Sequence, residues 1–146
     1  MHKEISHICD NLYLTSFASA KLFYTNTPQA SSKVTSILIS KELAPHCLEL
    51  PCDNLICLPI DDIETEDIFK QIPHVLDILE KSQPCLIFCM KGISRSASFC
   101  IAYIMKKRGL SYEDSFAFVK SKRNIICPNR GFVEQLKKYE RYLRRQ

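Results

Sequence analysis

Cys89 and Arg95 are separated by five residues, with Gly92 between them and Ser96 directly after. All four lie in the run LIFCMKGISRSAS, which starts apolar, passes through a short loop and resumes as a helix-like segment. A helix beginning near Ser94 to Ser96 offers unpaired backbone N–H groups and the positive end of its dipole. Together these make an anion site. Gly92 gives the loop a backbone conformation that other residues avoid, so N–H groups along Met90, Lys91, Gly92, Ile93 and Ser94 can turn inward. Arg95 adds a planar fork that matches two phosphate oxygens. A thiol at the mouth of such a cup is expected to ionise below the free value of about 8.5. Cys89 therefore reads as a nucleophile facing a bound anion. Taken singly, Cys89 could be a core thiol, Arg95 a helix-start ion-pair residue and Ser96 an N-cap; their common register favours the site.

Such a cup needs a strand before it and a helix after it. Short, apolar, β-branched runs predict strands at Ile5–Cys9, Leu12–Thr15, Thr35–Ser40, Leu55–Ile60 and Cys85–Cys89. The unbroken apolar character of TSILI and CLIFC fits strands buried on both faces. Helices are predicted over Glu66–Lys81, Ser96–Lys107, from Ser111 as N-cap onward, and over Phe132–Arg144. Tyr24–Lys33 and Lys41–Asn54 read as loops. The alternation predicts an α/β fold, a central mixed, mostly parallel sheet of about five strands flanked by helices.

The 146 residues are expected to form one domain, 1–146. They are 46% hydrophobic and 25% charged, ordinary globular values. Met1-His2-Lys3-Glu4 opens with charge and no apolar region, so no signal peptide is expected. No apolar run approaches a membrane span. The reading is a soluble, intracellular protein of the cytoplasm, with the nucleus also open. The eight cysteines sit mostly in apolar runs, as reduced, packed thiols do. There is no CxxC, and His2, His7, His46 and His74 make no ligand spacing with the thiols, so no metal site is expected. From Lys106 to Gln146 there are twelve basic and four acidic residues, a balance of +8 against −4 for the rest. Solvated basic helix faces are the favoured explanation of that excess, ahead of an acidic partner or substrate.

The segment CMKGISRS resembles the signature loop of the cysteine-dependent protein tyrosine phosphatases, and ISRSAS with the later AYIM is similar to the dual-specificity branch. ISHICDNLYLTS resembles the family's opening strand pair, LPIDD its general-acid segment, and CPNRGFVEQL the motif that starts its last helix. The compact length resembles the small atypical members. This resemblance implies a metal- and cofactor-free enzyme acting on phosphorylated proteins. Cys89 would attack phosphorus and form a phosphocysteine. The N–H groups from Met90 to Arg95 and the Arg95 guanidinium would hold the phosphoryl oxygens. Asp62 would be the general acid, with Asp61 as runner-up, and Ser96 would donate to the departing sulfur. Asn129 could cap the last helix and brace the loop. No nucleic acid is implied as partner, and the oligomeric state stays open.

The chain departs from the family pattern at Phe88, where histidine is usual. Phenylalanine can pack but cannot donate, so a working but slower enzyme is expected. Lys91 adds a cation where relatives carry a small or neutral residue, and Thr15 replaces a commoner glycine. Two other readings follow: a phospho-binding module with decayed chemistry, favoured by Phe88, and a phosphoinositide phosphatase, favoured by Lys91.

Overall fold

Side chains along a strand alternate between faces, and β5 (Cys85–Cys89) shows what that alternation does here. Cys85, Ile87 and Cys89 join the larger of two apolar clusters, whereas Leu86 and Phe88 join the smaller one across the sheet. In the computed structural model, which describes residues 4–146 (side chains at 30 and 31 excepted), all five expected strands are present within two residues of their predicted ends. They are β1 (Ser6–Cys9), β2 (Leu12–Ser16), β3 (Thr35–Ile39), β4 (Leu55–Leu58) and β5. Their spatial order is β1-β2-β5-β3-β4. Only the β1–β2 pair is antiparallel; β2, β5, β3 and β4 run parallel. Residues that follow β3, β4 and β5 therefore gather at one edge of the sheet, where ligands of open parallel sheets bind.

The helices cover both faces, as a mostly parallel sheet requires. On one side lie α3 (Ile72–Lys81), α4 (Arg95–Arg108), α5 (Tyr112–Lys122) and α6 (Arg130–Arg144). The central one, α4, is buried from Arg95 through Met105 and packs against the other three. It ends at Gly109 in the left-handed conformation, a common helix stop. The expected helix over Glu66–Lys81 is shorter: a 3-10 turn (Phe69–Gln71) leads into α3 with Pro73 in its first turn. Proline has no N–H to give and fits that position.

The other face is covered by α1 (Phe17–Asn26) and the one-turn α2 (Pro28–Ser31). Neither was expected, and both overlap the Tyr24–Lys33 stretch read as a loop. Ser16 caps α1 by accepting from the Ser19 N–H at 3.2 Å, while Ala20 and Tyr24 are its buried residues. The second predicted loop, Lys41–Asn54, contains a 3-10 turn over Ala44–Glu49. No helix among the described residues is long and apolar enough to cross a membrane. Met1, His2 and Lys3, on which the signal-peptide expectation rests, lie outside the described residues.

Candidate active site

The chain between Cys89 and Arg95 is held from outside by its carbonyls. Phe17 N–H donates to the Met90 carbonyl at 3.2 Å, and Cys127 N–H donates to that of Ile93 at 2.8 Å. Between them, the Arg123 guanidinium donates to Lys91 O at 3.2 Å and to Gly92 O at 2.8 Å. In a trans peptide the N–H of the next residue points opposite the carbonyl. Four outward carbonyls therefore turn the N–H groups of Lys91, Gly92, Ile93 and Ser94 inward. None of these four has an acceptor among the described residues. Gly92 sits at φ +66°, and a Cβ there would meet the Thr15 carbonyl oxygen at 2.5 Å. Close approach and a left-handed backbone both require glycine at this point.

The predicted side chains converge on this cup. Cys89 Sγ lies 3.0 Å from Ser96 Oγ, both buried. Arg95 is 4% exposed. Its Nη1 and Nη2 donate to the two oxygens of Glu42 at 2.6 and 2.7 Å, and Nη1 also reaches Ile60 O at 3.0 Å. The bidentate pair fixes the fork, and the buried Nε–H is left without a partner. That bond from Arg95 holds the Glu42 carboxyl at about 2, below its usual 4.5. Arg95 itself is shifted upward: burial opposes its charge, but Glu42, the Cys89 sulfur and Asp62 favour it.

Of the two candidate acids, Asp62 is the one tied to the loop. Its Oδ1 accepts from Ser94 Oγ at 2.8 Å and from Asn129 Nδ2 at 2.9 Å. Asp61 Oδ1 instead accepts from the Asp62 N–H at 2.9 Å. Asn129 also caps α6 through Phe132 N–H and donates its own N–H to Ser94 Oγ. Gly131 lets the segment beyond the acids lie on the start of α6, because a Cβ there would collide with the Glu64 backbone. Glu42, Asp61, Asp62, Cys89, Arg95 and Cys127 are among the residues lining one open cavity of about 500 Å³, with Met90 and Lys91 on its exposed rim.

Phe88 lies on the opposite face of the sheet. It is fully buried, edge-on to Tyr24 with ring centroids 6.3 Å apart and 6.4 Å from Phe17. Glu42 and Arg123 were not singled out in the sequence. Glu42 follows β3 at the edge where the parallel strands end. Arg123 continues the buried stripe Tyr112, Ser115, Val119 at helical spacing. A cation on an apolar stripe was the signal for it.

Residues 12–142 match a family model described as the dual specificity phosphatase, catalytic domain. A putative tyrosine phosphatase, 123R, of Invertebrate iridescent virus 6 is 44% identical over 92 residues, 60% of this chain and 65% of that one. Human dual specificity protein phosphatase 4 is 38% identical over 88 residues, 58% of this chain and 22% of that protein. The chain spans less than two thirds of the length of these curated relatives. The crystal structure of the human tyrosine phosphatase-like serine/threonine/tyrosine-interacting protein has a TM-score of 0.81 at 31% identity, covering 97% of this chain and 98% of that one. A mouse putative dual specificity phosphatase solved with zinc tungstate has a TM-score of 0.80 at 26% identity, covering 99% and 91%.

Proposed function

Because the chain belongs to the dual specificity phosphatase catalytic-domain family, we propose that it hydrolyses phosphotyrosine and phosphoserine or phosphothreonine in proteins through a phosphocysteine. The observation that carries this reading is the set of unspent donors facing Cys89. Four loop N–H groups and the buried Arg95 Nε–H converge where no protein acceptor meets them. Buried donors are almost always satisfied, and here three equatorial phosphoryl oxygens would satisfy them. Donors fixed in advance at developing charge are usually the largest catalytic contribution.

The steps follow from the side chains. The Cys89 sulfur attacks phosphorus, forming the S–P bond as the ester P–O bond breaks. Asp62 gives a proton to the departing oxygen; its Oδ2, free of the two bonds made by Oδ1, carries that proton. A water that returns its proton to Asp62 then attacks phosphorus and releases phosphate. The Ser96 hydroxyl, 3.0 Å from Sγ, donates to the sulfur as it leaves. The cavity is open and no aromatic side chain lines it among the described residues, which suits phosphoserine as well as phosphotyrosine. With Glu42 paired to Arg95, Asp61 and Asp62 on its walls argue against substrates with several phosphates, and a single Lys91 does not outweigh them.

A second reading, a phospho-binding module without turnover, is favoured by Phe88 and by the phosphatase-like description of the human structure at 31% identity. The experiment that decides is hydrolysis of matched phosphotyrosyl, phosphothreonyl and phosphoinositide substrates in the presence of a chelator, each against Cys89→Ser. Turnover of the two phosphopeptides that vanishes in the variant is the expected result. Phosphate binding without turnover in the wild type establishes the binding module, and preference for the lipid overturns the protein-substrate reading.

A further inference from the structure

Arg123 does a job that the sequence around the thiol leaves undone. It closes α5, is 6% exposed, and has no carboxylate within 4 Å among the described residues. A buried cation without a paired anion is costly, so the bonds it makes are informative. Nε and Nη2 donate to the consecutive carbonyls of Gly92 and Lys91. Nη1 donates to Glu4 O at 2.8 Å and Ser6 Oγ at 3.1 Å, which fixes the fork from behind. Met90 and Ile93 are held by backbone N–H groups; Arg123 is the one side chain among these supports of the loop carbonyls.

We propose that Arg123 is the positioning residue of the phosphate loop: by holding the Lys91 and Gly92 carbonyls outward it aims the Gly92 and Ile93 N–H groups at the bound phosphoryl, the ordering role that Phe88 cannot take. This rests on the phosphatase reading above. Two observations support it independently. Phe88 packs on Phe17 and Tyr24 on the far side of the sheet, so its ring does not reach these carbonyls. Gly92 also fits closely beneath the fork, because a Cβ there would lie 2.9 Å from Arg123 Nη2. Burial pulls the Arg123 proton affinity below its ordinary value, the cost of a cation held by neutral carbonyls.

The test compares wild type with Arg123→Lys, which keeps a charge but loses the fork, and Arg123→Met, which loses both. Inorganic phosphate binding is followed by calorimetry, and Cys89 alkylation by iodoacetate is followed against pH. Losing the charged donors is expected to weaken phosphate binding about tenfold or more in Arg123→Met. It is also expected to move the alkylation profile to higher pH, with Arg123→Lys between the two. A merely structural role lowers the melting temperature and leaves both readouts at wild-type values in the folded variants; that result overturns the proposal. If Arg123→Met does not fold, Arg123→Lys with wild-type phosphate affinity and an unmoved alkylation profile overturns it alone. A wild type that binds no phosphate fails the phosphatase reading itself, and the role of Arg123 with it.

Discussion

Cys85 and Cys89 open and close the same strand on the same face, in the same apolar cluster. Both are buried. Cys85 is followed by more strand, surrounded by side chains, and burial pushes its thiol up to about 12. Cys89 is followed by a turn whose N–H groups have no acceptor among the described residues and by Ser96, whose hydroxyl lies 3.0 Å from its sulfur. A cysteine becomes a candidate nucleophile here through its place at the edge where parallel strands end, not through exposure. Cys100, one helical turn beyond Ser96, repeats the lesson: it is fully buried and its thiol is driven well above its usual range by desolvation.

Substitutions that separate the two ends of β5 give the largest effects. Cys89→Ser is expected to abolish phosphatase turnover, a loss of about 10⁴-fold or more. Cys85→Ala should leave turnover within about twofold and lower stability by roughly 1 kcal/mol, the cost of a small cavity. Parallel assays of turnover and urea unfolding check both, and equal losses of turnover would erase the distinction.

The donors come next. Arg95→Lys keeps the charge but cannot both pair with Glu42 and present Nε, so kcat should fall about 10²–10³-fold. Among the acids, Asp62→Asn should cost about 10²-fold in kcat on alkyl phosphates and Asp61→Asn much less. A leaving-group series sharpens this, because a good aryl leaving group needs no proton and should narrow the Asp62→Asn deficit. The reverse ranking would transfer the acid role to Asp61.

Smaller effects are expected at Phe88 and Glu42. Phe88→His places a polar ring among Phe17 and Tyr24, so stability should drop by about 1–3 kcal/mol. The gain in kcat should stay below about tenfold, the worth of one supporting hydrogen bond. Glu42 has a carboxyl lowered from 4.5 to about 2, so its pairing with Arg95 stabilises the fold fully above pH 4.5 and is lost as pH falls towards 2. Because that carboxylate is partly exposed, the loss should be about 1 kcal/mol or less. Unfolding midpoints of wild type and Glu42→Gln, compared between pH 7 and pH 3, should converge on acidification.

The strands were legible because their apolar runs are short, β-branched and bounded by turn residues. The loop was legible because Cys89, Gly92 and Arg95 stand close in sequence and need no long-range contact to be recognised. Helix α1 was not, since Thr25, Asn26 and Thr27 are poor helix formers and its buried residues, Ala20 and Tyr24, make a narrow stripe. What fixes α1 is the local Ser16 cap together with the packing of Tyr24 on Phe88, and that packing is tertiary information. The partners of the loop were equally hidden. Glu42 reaches Arg95 across 53 positions, and Arg123 reaches Gly92 across 31. Asp62 and Asp61 could be separated only once Ser94 and Asn129 were seen to hold one of them.

The central claim is that the Cys89 sulfur accepts a phosphoryl group from substrate. Acid quenching of the wild type during turnover of an aryl phosphate, followed by peptide mass spectrometry, tests it most directly. The account predicts phosphate on the peptide carrying Cys89 and none on peptides carrying Cys85, Cys100 or Cys127. Turnover that proceeds with Cys89 unmodified at every quench time, and that persists in Cys89→Ser, would contradict it.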